Sequence, residues 1–283
     1  MNYRHIYHAG NFADVVKHAV LARVLVYLCR KPAAFRVIDT HAGAGRYDLH
    51  GPEASRTGEW RDGIGRLTAA TPAPELASLL APYLDAVARC NQRGALTVYP
   101  GSPLIARTLL RPQDRLIACE LEPCAAAALG RSLSGDARCK VVAIDGFAAL
   151  NAYLPPKERR GLALLDPSFE DADDFMRLSS ALLAAQRKWA GGIYLMWYPI
   201  KDRTASEGLA KRLKAAGLAK LLRAEIEVAP ARDPQRLSAC GLMVLNPPWT
   251  LADELKILLA GLADILSPAG RGRFRIDWLG KEK

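Results

Sequence analysis

The sequence lacks the features that mark membrane-spanning, disulfide-rich and zinc-binding proteins. It has no run of about 18 or more apolar residues, so we expect no membrane span. Its first residues, Met-Asn-Tyr-Arg-His, lack the apolar core of a secretory signal. The 6 cysteines are scattered without a Cys-x-x-Cys pair, which is typical of reduced thiols rather than of disulfides or a zinc site. These absences predict a cytoplasmic protein.

Positive charge is in excess, with a formal net charge of +10. Because each phosphate that a cationic side chain neutralises releases counterions, this excess favours a polyanionic partner. The charge alone does not distinguish RNA from DNA or from an anionic membrane, and an ordinary basic surface would also produce it.

Short apolar runs rich in β-branched residues alternate with helical patterns along most of the chain. The predicted strands are Phe35–Asp39, Leu116–Glu120, Lys140–Ile144, Leu162–Leu165, Gly192–Trp197, Leu221–Val228 and Gly241–Leu245. Predicted helices cover residues 123–133, 147–153, 172–189, 204–216 and 251–266. This alternation indicates an α/β fold with right-handed crossovers and a mostly parallel sheet.

The segment Ala229–Pro234 is too short for a crossover helix, so we expect the last two strands to pair antiparallel. A seven-stranded, mostly parallel sheet that ends in an antiparallel hairpin is, by analogy, the plan of Rossmann-like class I methyltransferases, which use S-adenosylmethionine (SAM).

The spacing of two motifs predicts an insertion. In a Rossmann-like site, the acidic residue that binds ribose lies about 20 residues after the glycine turn. Here the best candidate, Glu120, lies much further downstream of Gly45. Within the intervening segment, apolar side chains recur at helical spacing at Leu76, Leu79, Leu80, Tyr83, Leu84 and Val87. We therefore predict a small helical subdomain at residues 49–95, inserted into a methyltransferase domain of residues 1–48 and 96–283.

A glycine turn follows the first predicted strand and is the candidate cofactor site. It reads Asp39-Thr-His-Ala-Gly-Ala-Gly45, and Gly43 and Gly45 allow a ligand to approach the backbone closely. The third glycine of the dinucleotide fingerprint is absent, which disfavours NAD. Carboxylates recur at later strand ends, where ligands of α/β sheets lie. We expect Glu120 to accept hydrogen bonds from ribose hydroxyls and Asp145 from the adenine amine, although each also fits a solvated loop position or a helix N-cap.

All 5 histidines occur within the first 50 residues. His5 and His8 lack the carboxylate or cysteine spacing that would complete a metal site, so no metal is predicted. We interpret residues 3–18 as a segment that folds over the cofactor and places Lys17 and His18 near its carboxylate.

The stretch Leu164-Leu-Asp166-Pro-Ser-Phe169 is the candidate amine site. The lone pair of an exocyclic amine is delocalised into the base ring, so an enzyme must redirect it. Asp166 can accept one N–H and the backbone carbonyl of Pro167 the other, because proline fixes the direction of that carbonyl. Phe169 can stack on a flipped base. An N-capping Asp followed by proline at the start of a helix would give the same letters.

A rival tetrapeptide, Asn246-Pro-Pro-Trp249, matches an amine-methyltransferase motif better by its letters. It follows the seventh predicted strand, whereas catalytic residues are expected after the fourth strand, beside the glycine turn. We therefore assign it to structure or to substrate contact.

Long blocks of the sequence resemble the RlmJ family of 23S ribosomal RNA adenine-N6 methyltransferases over nearly the whole chain. They are Tyr3-Arg-His-x-x-His-Ala-Gly-Asn11, Ala13-Asp-Val-x-Lys-His18, Asp39-Thr-His-Ala-Gly-Ala-Gly-Arg-Tyr47, Arg56-Thr-Gly-Glu59, Tyr99-Pro-Gly-Ser-Pro-Leu-Ile-Ala-Arg107, Asp145-Gly-Phe147, Arg159-Arg-Gly161, Trp197-Tyr-Pro199 and Asn246-Pro-Pro-Trp249. Their number and common order make this resemblance more specific than any single motif.

The resemblance implies a SAM-methyltransferase fold with a helical insert, and a reaction that converts SAM to S-adenosylhomocysteine without a metal. It places cofactor contacts on His18, His41, Ser102, Glu120, Asp145 and Gly146. It places the catalytic carboxylate on Asp166 and a contact with substrate RNA on Tyr3. It also implies a monomer without an obligate protein partner, which acts on free or partly assembled 23S rRNA. The family reads Asp-Pro-Pro-Tyr/Phe at the amine site, and this chain departs from it at Ser168.

Two other functions remain open on the sequence. One is a DNA adenine-N6 methyltransferase, which would normally need a sequence-reading domain that is not recognisable here. The other is a non-catalytic RNA-binding protein with a methyltransferase fold, against which Asp166 and the glycine turn argue. The basic clusters Lys157-Glu-Arg-Arg160 and Arg271-Gly-Arg-Phe-Arg275 are candidates for phosphate contacts, although charged loops are often only solvated.

Overall fold

A computed structural model describes residues 4–92, 94–171, 173–230, 237–268 and 270–280. Within these residues the strands are β1 Arg36–Asp39, β2 Arg46–Asp48, β3 Val98–Pro100, β4 Arg115–Cys119, β5 Cys139–Val142, β6 Gly161–Leu165, β7 Ile193–Pro199, β8 Leu221–Glu227, β9 Ala239–Leu245 and β10 Arg273–Trp278. The helices are α1 Phe12–Cys29, α2 Pro52–Thr57, α3 Arg66–Ala69, α4 Pro74–Arg89, α5 Ser102–Leu109, α6 Pro123–Ser132, α7 Gly146–Tyr153, α8 Asp174–Lys188, α9 Arg203–Ala215 and α10 Leu251–Leu266. A 3-10 turn, His5–Tyr7, and a π-helical segment, Arg61–Gly65, complete the regular structure of the described residues.

The central sheet has the order β10-β8-β9-β7-β6-β1-β4-β5. Within this order, the neighbouring strands β7, β6, β1, β4 and β5 run parallel to one another. Strand β9 runs antiparallel to β7, and β8 runs antiparallel to β9. The predicted mostly parallel α/β sheet and its antiparallel hairpin are therefore confirmed. Part of the short connection predicted at residues 229–234 lies outside the described residues.

The predicted number of seven strands is wrong for this sheet, because β10 adds an eighth strand along β8. Its sequence, Arg-Phe-Arg-Ile-Asp-Trp, alternates charged and apolar residues as a half-buried strand does, but its arginines belong to the stretch that was predicted as a basic cluster. Ion pairs stabilise its pairing with β8: Arg223 of β8, only 2% exposed, donates to both carboxylate oxygens of Asp277 at 2.9 Å. Arg275 pairs with Glu207 of α9 at 2.7 Å. Charged side chains on an edge strand also discourage pairing with other chains.

Helix α1 crosses the interior of the protein, and most of its residues are buried on every side. A helix that is apolar around its whole circumference is typical of such a central position. Asn11 begins it by accepting a hydrogen bond from the amide of Asp14 at 3.0 Å. Polar residues inside this helix therefore lie in the core and need partners there.

The segment predicted as an insertion contains α2, the π-helical segment, α3 and α4, which lie between β2 and β3. The amphipathic pattern predicted from residue 74 corresponds to α4. Its Leu80 and Tyr83 are fully buried and belong to the same apolar cluster as α1 and the sheet. The inserted segment therefore packs on the main core.

Candidate functional site

Three carboxylates meet at the carboxyl edge of the parallel sheet. Strand β1 lies between β4 and β6, so Asp39, Glu120 and Asp166 follow or end adjacent strands. The backbone after β1 is fixed on both sides: the amide of Thr40 donates to the carbonyl of Leu164 at 3.0 Å, and Ala42 donates to Cys119 at 2.9 Å. Neighbouring strands lie about 4.8 Å apart. Sheet geometry thus brings together acids that are far apart in the chain.

The glycine turn needs glycine at both predicted positions. Gly43 and Gly45 have φ values of +61° and +75°, a region that other residues rarely adopt. A Cβ on Gly43 would also lie 2.2 Å from the hydroxyl of Tyr47. The amide of Gly43 donates to one oxygen of Glu120 at 2.8 Å, and the amide of Glu122 donates to the other at 2.8 Å. Glu120 is thereby aimed into the turn.

Asp39 is buried and only half satisfied. Ser102, the first residue of α5, donates to its Oδ2 at 2.7 Å. Its Oδ1 is buried and has no hydrogen-bond partner among the described residues. Burial raises the pKa of Asp39 to about 7, against the hydrogen bond from Ser102, and the nearby charge of Asp166 raises it further. An unpaired buried carboxylate oxygen beside a glycine turn fits a ligand that carries a donor or a positive charge.

His41 is half-buried beside the turn and is neutral, because desolvation lowers its pKa to about 4. The hydroxyl of Thr40 donates to the carbonyl of Leu164 at 2.8 Å, so it accepts from Nδ1–H of His41 at 2.7 Å. This assignment leaves Nε2 as an acceptor. A Cβ on Gly146 would lie 2.6 Å from that ring and 2.3 Å from the carbonyl of Thr40, so position 146 requires glycine.

Asp145 is the N-cap of α7 and accepts from the amide of Ala148 at 2.9 Å. Its other oxygen lies 3.7 Å from the guanidinium of Arg177, which stacks on the Phe147 ring at 4.7 Å. Asp145 therefore makes the N-cap contact that the sequence left open as an alternative. Its carboxylate is partly exposed and lies beside His41 and Phe147.

Lys17 of α1 connects two of the acids. Its ammonium group donates to Asp14 Oδ1 at 2.9 Å and to Asp166 Oδ2. Burial lowers the pKa of Lys17, but the adjacent carboxylates of Asp14 and Asp166 outweigh it and raise that pKa well above its usual value. Asp14 also accepts from Gly10 at 2.9 Å and pairs with His5 at 2.9 Å. Although burial opposes ionisation, His5 and Lys17 hold the pKa of Asp14 well below its usual range.

His18 lies next in the same helix, and its ring nitrogen contacts Tyr99 of β3 rather than an acid. Its Nδ1 is 2.7 Å from the hydroxyl of Tyr99, which is 3.0 Å from the hydroxyl of Tyr83 in α4. Burial lowers the pKa of His18 to about 3, so the ring is neutral. The amide of Gly101 donates to the carbonyl of Gly45 at 2.8 Å, which ties this polar chain to the glycine turn.

Asp166 directly follows β6 and is followed by an aromatic cluster. Pro167 is buried, and Phe169 adopts a φ of +54°, an uncommon conformation for an aromatic residue. The ring of Phe169 lies 4.8 Å from that of Phe175 and 5.8 Å from that of Trp197. Lys17 Nζ lies 5.8 Å from the Trp197 ring. Asp166 thus has a cation on one oxygen and aromatic rings alongside.

The sequence reasoning missed two side chains as site residues. Trp197 is at the carboxyl end of β7, the strand next to β6, and that position is the signal that indicates it. Leu121 follows Glu120 and is 54% exposed, unusual for a leucine at a strand exit. An apolar side chain there can pack against the flat face of a ligand base.

The rival motif lies at the opposite edge of the sheet. Leu245, the last residue of β9, pairs with Tyr194 near the start of β7, whereas Asp166 lies at the other end of these strands. The side chain of Asn246 donates to the carbonyls of Ala190 and Gly192 at 2.8 Å. Asn246 is therefore far from the acids and holds a loop.

The other predicted residues have these positions. Tyr3 lies outside the described residues. His5 pairs with Asp14, and His8 is 3.0 Å from Glu59. Within the part of the chain that the structure describes, no cluster of His, Cys, Asp or Glu has a metal-binding arrangement, and no helix is both long and apolar enough to cross a membrane.

Of the basic clusters, Arg160 donates to the backbone carbonyls of Ala33 at 2.6 Å and Leu28 at 3.1 Å, and Arg275 pairs with Glu207. Both arginines therefore have contacts within the fold, whereas Lys157 and Arg159 are exposed.

Comparison with known proteins identifies relatives of this chain along its whole length. The family model described as "Ribosomal RNA large subunit methyltransferase D, RlmJ" matches residues 32–280. The chain is 41% identical over 283 residues to ribosomal RNA large subunit methyltransferase J of Haemophilus influenzae, with 100% of both chains covered. It is 41% identical over 279 residues to the protein of the same name from Escherichia coli strain K12, with 99% of each covered.

Among solved structures, a crystal structure of a Legionella pneumophila protein superposes with a TM-score of 0.87 at 34% identity, covering 95% of this chain and 98% of that one. The fold is the Rossmann-like class I methyltransferase fold, extended here by the edge strand β10 and the helical insertion.

Proposed function

Because the chain belongs to the ribosomal RNA large subunit methyltransferase J family, we propose that it transfers a methyl group from SAM to N6 of a specific adenine in 23S rRNA. The observation that carries the proposal is the position of Asp166. Its carboxylate follows β6, one strand from the glycine turn, and its Oδ1 makes no hydrogen bond within the described residues. One acceptor is thus available beside the proposed methyl donor site, where a base amine needs it.

The residues at the turn fit SAM as cofactor. Gly43 and Gly45 keep the backbone open, Glu120 faces the turn as an acceptor for ribose hydroxyls, and the unpaired Oδ1 of Asp39 suits the ammonium group. Leu121 offers an apolar contact for the adenine ring. When bound, SAM supplies a methyl group activated by its sulfonium.

The remaining cofactor assignments rest on the family and on proximity to this turn. We assign Lys17, His18, His41, Ser102, Asp145, Gly146 and Asp166 to the cofactor site. Ser102 acts through Asp39, and His18 through the hydroxyl of Tyr99, in the contacts described above. The acceptor Nε2 of His41 and the partly exposed carboxylate of Asp145 are both positioned for adenine donors.

The residues at the exit of β6 have separate tasks in this proposal. Asp166 Oδ1 and the carbonyl of Pro167 accept the two N–H groups of the target amine, which directs its lone pair away from the ring. Phe169 stacks on the base, and comparable contacts contribute about 1–3 kcal/mol per base. Lys17 donates a hydrogen bond to the other carboxylate oxygen of Asp166 and places a positive charge beside it. Positioning a bound pair can lower a barrier by about 7–11 kcal/mol, so much of the rate would come from this geometry.

Ser168 is the departure from the family motif. It frees a backbone N–H and removes one fixed φ, so we expect an effect on rate while Asp166, Pro167 and Phe169 retain the reaction. We further propose, from the family, that Tyr3 contacts the RNA. We also propose that the protein acts as a monomer in the cytoplasm on free or partly assembled rRNA.

Transfer of a tritiated methyl group from SAM tests the function directly. The substrates are total rRNA from a strain that lacks the methyltransferase and, in parallel, unmethylated genomic DNA. Label on 23S rRNA, recovered as N6-methyladenosine after digestion, supports the proposal. Label on DNA alone supports a DNA methyltransferase, and label on neither indicates a binding protein.

A further inference from the structure

A tryptophan side chain is presented to solvent at the sheet edge opposite Asp166. Trp249 is 79% exposed, the largest exposure among the large apolar side chains of the described residues. The loop that carries it is held firmly: Asn246 has a φ of +54°, its side chain donates to two backbone carbonyls, and its amide donates to Lys220 at 3.0 Å. An aromatic ring that a fixed loop presents to solvent offers a flat face on which an unpaired base can stack.

Basic side chains surround this loop, and hydrogen bonds connect the segments that carry them. Asn246 bonds to Ala190 and Gly192, which follow Arg187 and Lys188 at the end of α8. Its amide bonds to the carbonyl of Lys220. The indole N–H of Trp189 donates to the carbonyl of Arg159 at 3.1 Å. We call this surface the tryptophan edge; it consists of Trp249, Arg159, Arg187, Lys188 and Lys220.

The cations of the tryptophan edge are exposed and uncompensated. Arg159, Arg187, Lys188 and Lys220 form no salt bridge with a carboxylate in the described ranges. The acids close to them in sequence have other partners: Glu158 pairs with Arg36 at 2.8 Å, and Asp253 with Lys256 at 2.8 Å. The surface is therefore positive around one aromatic ring.

We propose that the tryptophan edge is a second RNA-contacting surface, which binds a single-stranded or looped segment of the substrate away from the target adenine. A base stacks on Trp249, and phosphates on either side contact Lys220, Arg187 and Arg159. Aromatic stacking within a positive surface is the usual way in which proteins hold unpaired nucleotides. The inference rests on the proposed function, since it assigns a further contact to the same RNA.

The separation of the two surfaces determines which RNA can use both. Leu165, next to Asp166, pairs with Met196 of β7, and Leu245, next to Asn246, pairs with Tyr194, so the two loops leave the sheet about four residues apart along β7. At about 3.3 Å per residue this is roughly 13 Å, to which the loops and side chains add. Only an RNA that extends well beyond the target nucleotide can contact both edges, so the tryptophan edge contributes to affinity and leaves the chemistry unchanged.

Substitutions at Trp249 test the stacking contact. Trp249→Ala is expected to raise KM for 23S rRNA at least about fivefold, at the low end of measured stacking contributions, with kcat and the Kd for SAM unchanged. Trp249→Phe should keep most of the affinity but lose the part of the RNA-induced fluorescence quenching that comes from Trp249. Phe274→Ala, which removes another exposed aromatic side chain on β10, is the matched control and should leave KM unchanged.

Charge reversal tests the phosphate contacts. In binding measurements by anisotropy, Arg187→Glu/Lys220→Glu should reduce the slope of log K against log salt concentration by about 1.4, the value for two contacts to a single strand. The control Arg131→Glu/Lys140→Glu changes the same charge near the far edge strand β5 and should keep a steeper slope than the test pair.

Unchanged KM in Trp249→Ala, or equal slopes in the two charge-reversed variants, would overturn the tryptophan edge as an RNA surface. If Trp249→Ala converts a dimer to a monomer without changing RNA affinity, the surface contacts a second copy instead, and the proposal is wrong. Binding is measured independently of methyl transfer. A wild-type protein that binds 23S rRNA through this edge but methylates none of it would therefore refute the proposed function alone.

Discussion

The ammonium group of Lys17 donates a hydrogen bond to Asp166, a residue 149 positions further along the chain. Lys17 is on the central helix α1, and Asp166 directly follows β6, so the contact joins the core helix to the candidate amine site. Because Lys17 also bonds Asp14, a single buried cation compensates two carboxylates. The contact between Lys17 and Asp166 thus depends on the packing of α1 against the sheet.

Replacement of Asp166 by Asn tests its assigned role. The substitution preserves shape but removes the negative charge that accepts from the amine, so we expect the single-turnover rate to fall by at least about 100-fold, the lower range for a positioned proton acceptor. The Kd for SAM should change less, because the glycine turn is untouched. Asp171→Asn, in the same loop and 77% exposed, is the control. Wild-type turnover in Asp166→Asn would remove this residue from catalysis.

Replacement of Lys17 by Met leaves two carboxylates without their cation. Breaking a buried ion pair in this way typically costs about 3–5 kcal/mol, and we expect a loss of this size in the free energy of unfolding measured with urea. The double variant Asp14→Asn/Lys17→Met should lose less than the sum of the single losses, because the groups interact directly. Additive losses would show that the pair contributes little.

The ionisation of Asp39 makes the free energy of unfolding depend on pH. The sign of this dependence is opposite to that of a carboxylate in an ion pair. Burial raises its pKa to about 7 in the folded protein. The unfolded value is about 3.9. Between these values the folded state binds more protons at this site, so its contribution to stability falls as the pH rises through that window.

The side chain at position 39 cannot ionise in the variant Asp39→Asn, so the stability of this variant does not fall with the ionisation of Asp39 as the pH rises. Without cofactor, we expect it to be more stable than wild type at pH 8, by up to about 4 kcal/mol, with the difference narrowing towards pH 5. Urea titrations at several pH values measure this directly. A difference that does not vary with pH would mean that Asp39 is ionised throughout.

Glu120 is expected to determine cofactor affinity. In Glu120→Gln, one acceptor becomes an NH2 group that faces the amide of Gly43 or Glu122, so the side chain turns away from the ribose position. We expect the Kd for SAM, measured by calorimetry, to rise at least about tenfold, the effect of one lost hydrogen bond to a charged group. Glu122→Gln, which alters the N-cap of α6 instead, should change it much less. Equal affinities in wild type and Glu120→Gln would exclude Glu120 from the cofactor site.

A catalytic role for Asn246 in the rival motif and its structural role in the loop predict different results for a substitution at this position. In Asn246→Asp the donor to Ala190 and Gly192 is lost and a carboxylate faces two carbonyls, so we expect the free energy of unfolding to fall by about 1–3 kcal/mol. Because Asn246 is at the far edge of the sheet, kcat and the Kd for SAM should stay at wild-type values. A large loss of kcat in a folded Asn246→Asp protein would indicate that this motif, rather than Asp166, carries the catalytic role.

Local patterns determined much of what the sequence predicted correctly. The strand periodicity around Phe35–Asp39 and Leu162–Leu165 set the parallel core of the sheet, and the shortness of the connection after Val228 required an antiparallel hairpin. The two glycines of the turn were identifiable because their conformations exclude other side chains. These features depend on interactions between residues close in sequence.

Other features had a local signal that was misread, or had none. Strand β10 alternates charged and apolar residues, a pattern typical of a half-buried strand, but its arginines were interpreted as part of a basic cluster. Residues 3–18 were interpreted as a segment over the cofactor, but the sequence did not show that helix α1, which begins within that segment, is buried on every side in the core. Trp197 was missed because its proximity to Phe169 arises between strands.

By itself, the sequence determined the α/β fold and the glycine turn and indicated Asp166 as the candidate acid of the amine site, because apolar periodicity and backbone sterics act over a few residues. Only the tertiary structure decided that Lys17 compensates Asp166, that Asp39 keeps an unpaired buried oxygen, and that Asn246 and Trp249 lie at the opposite edge. These depend on the order and direction in which distant strands pair, which sets the environment of each charge.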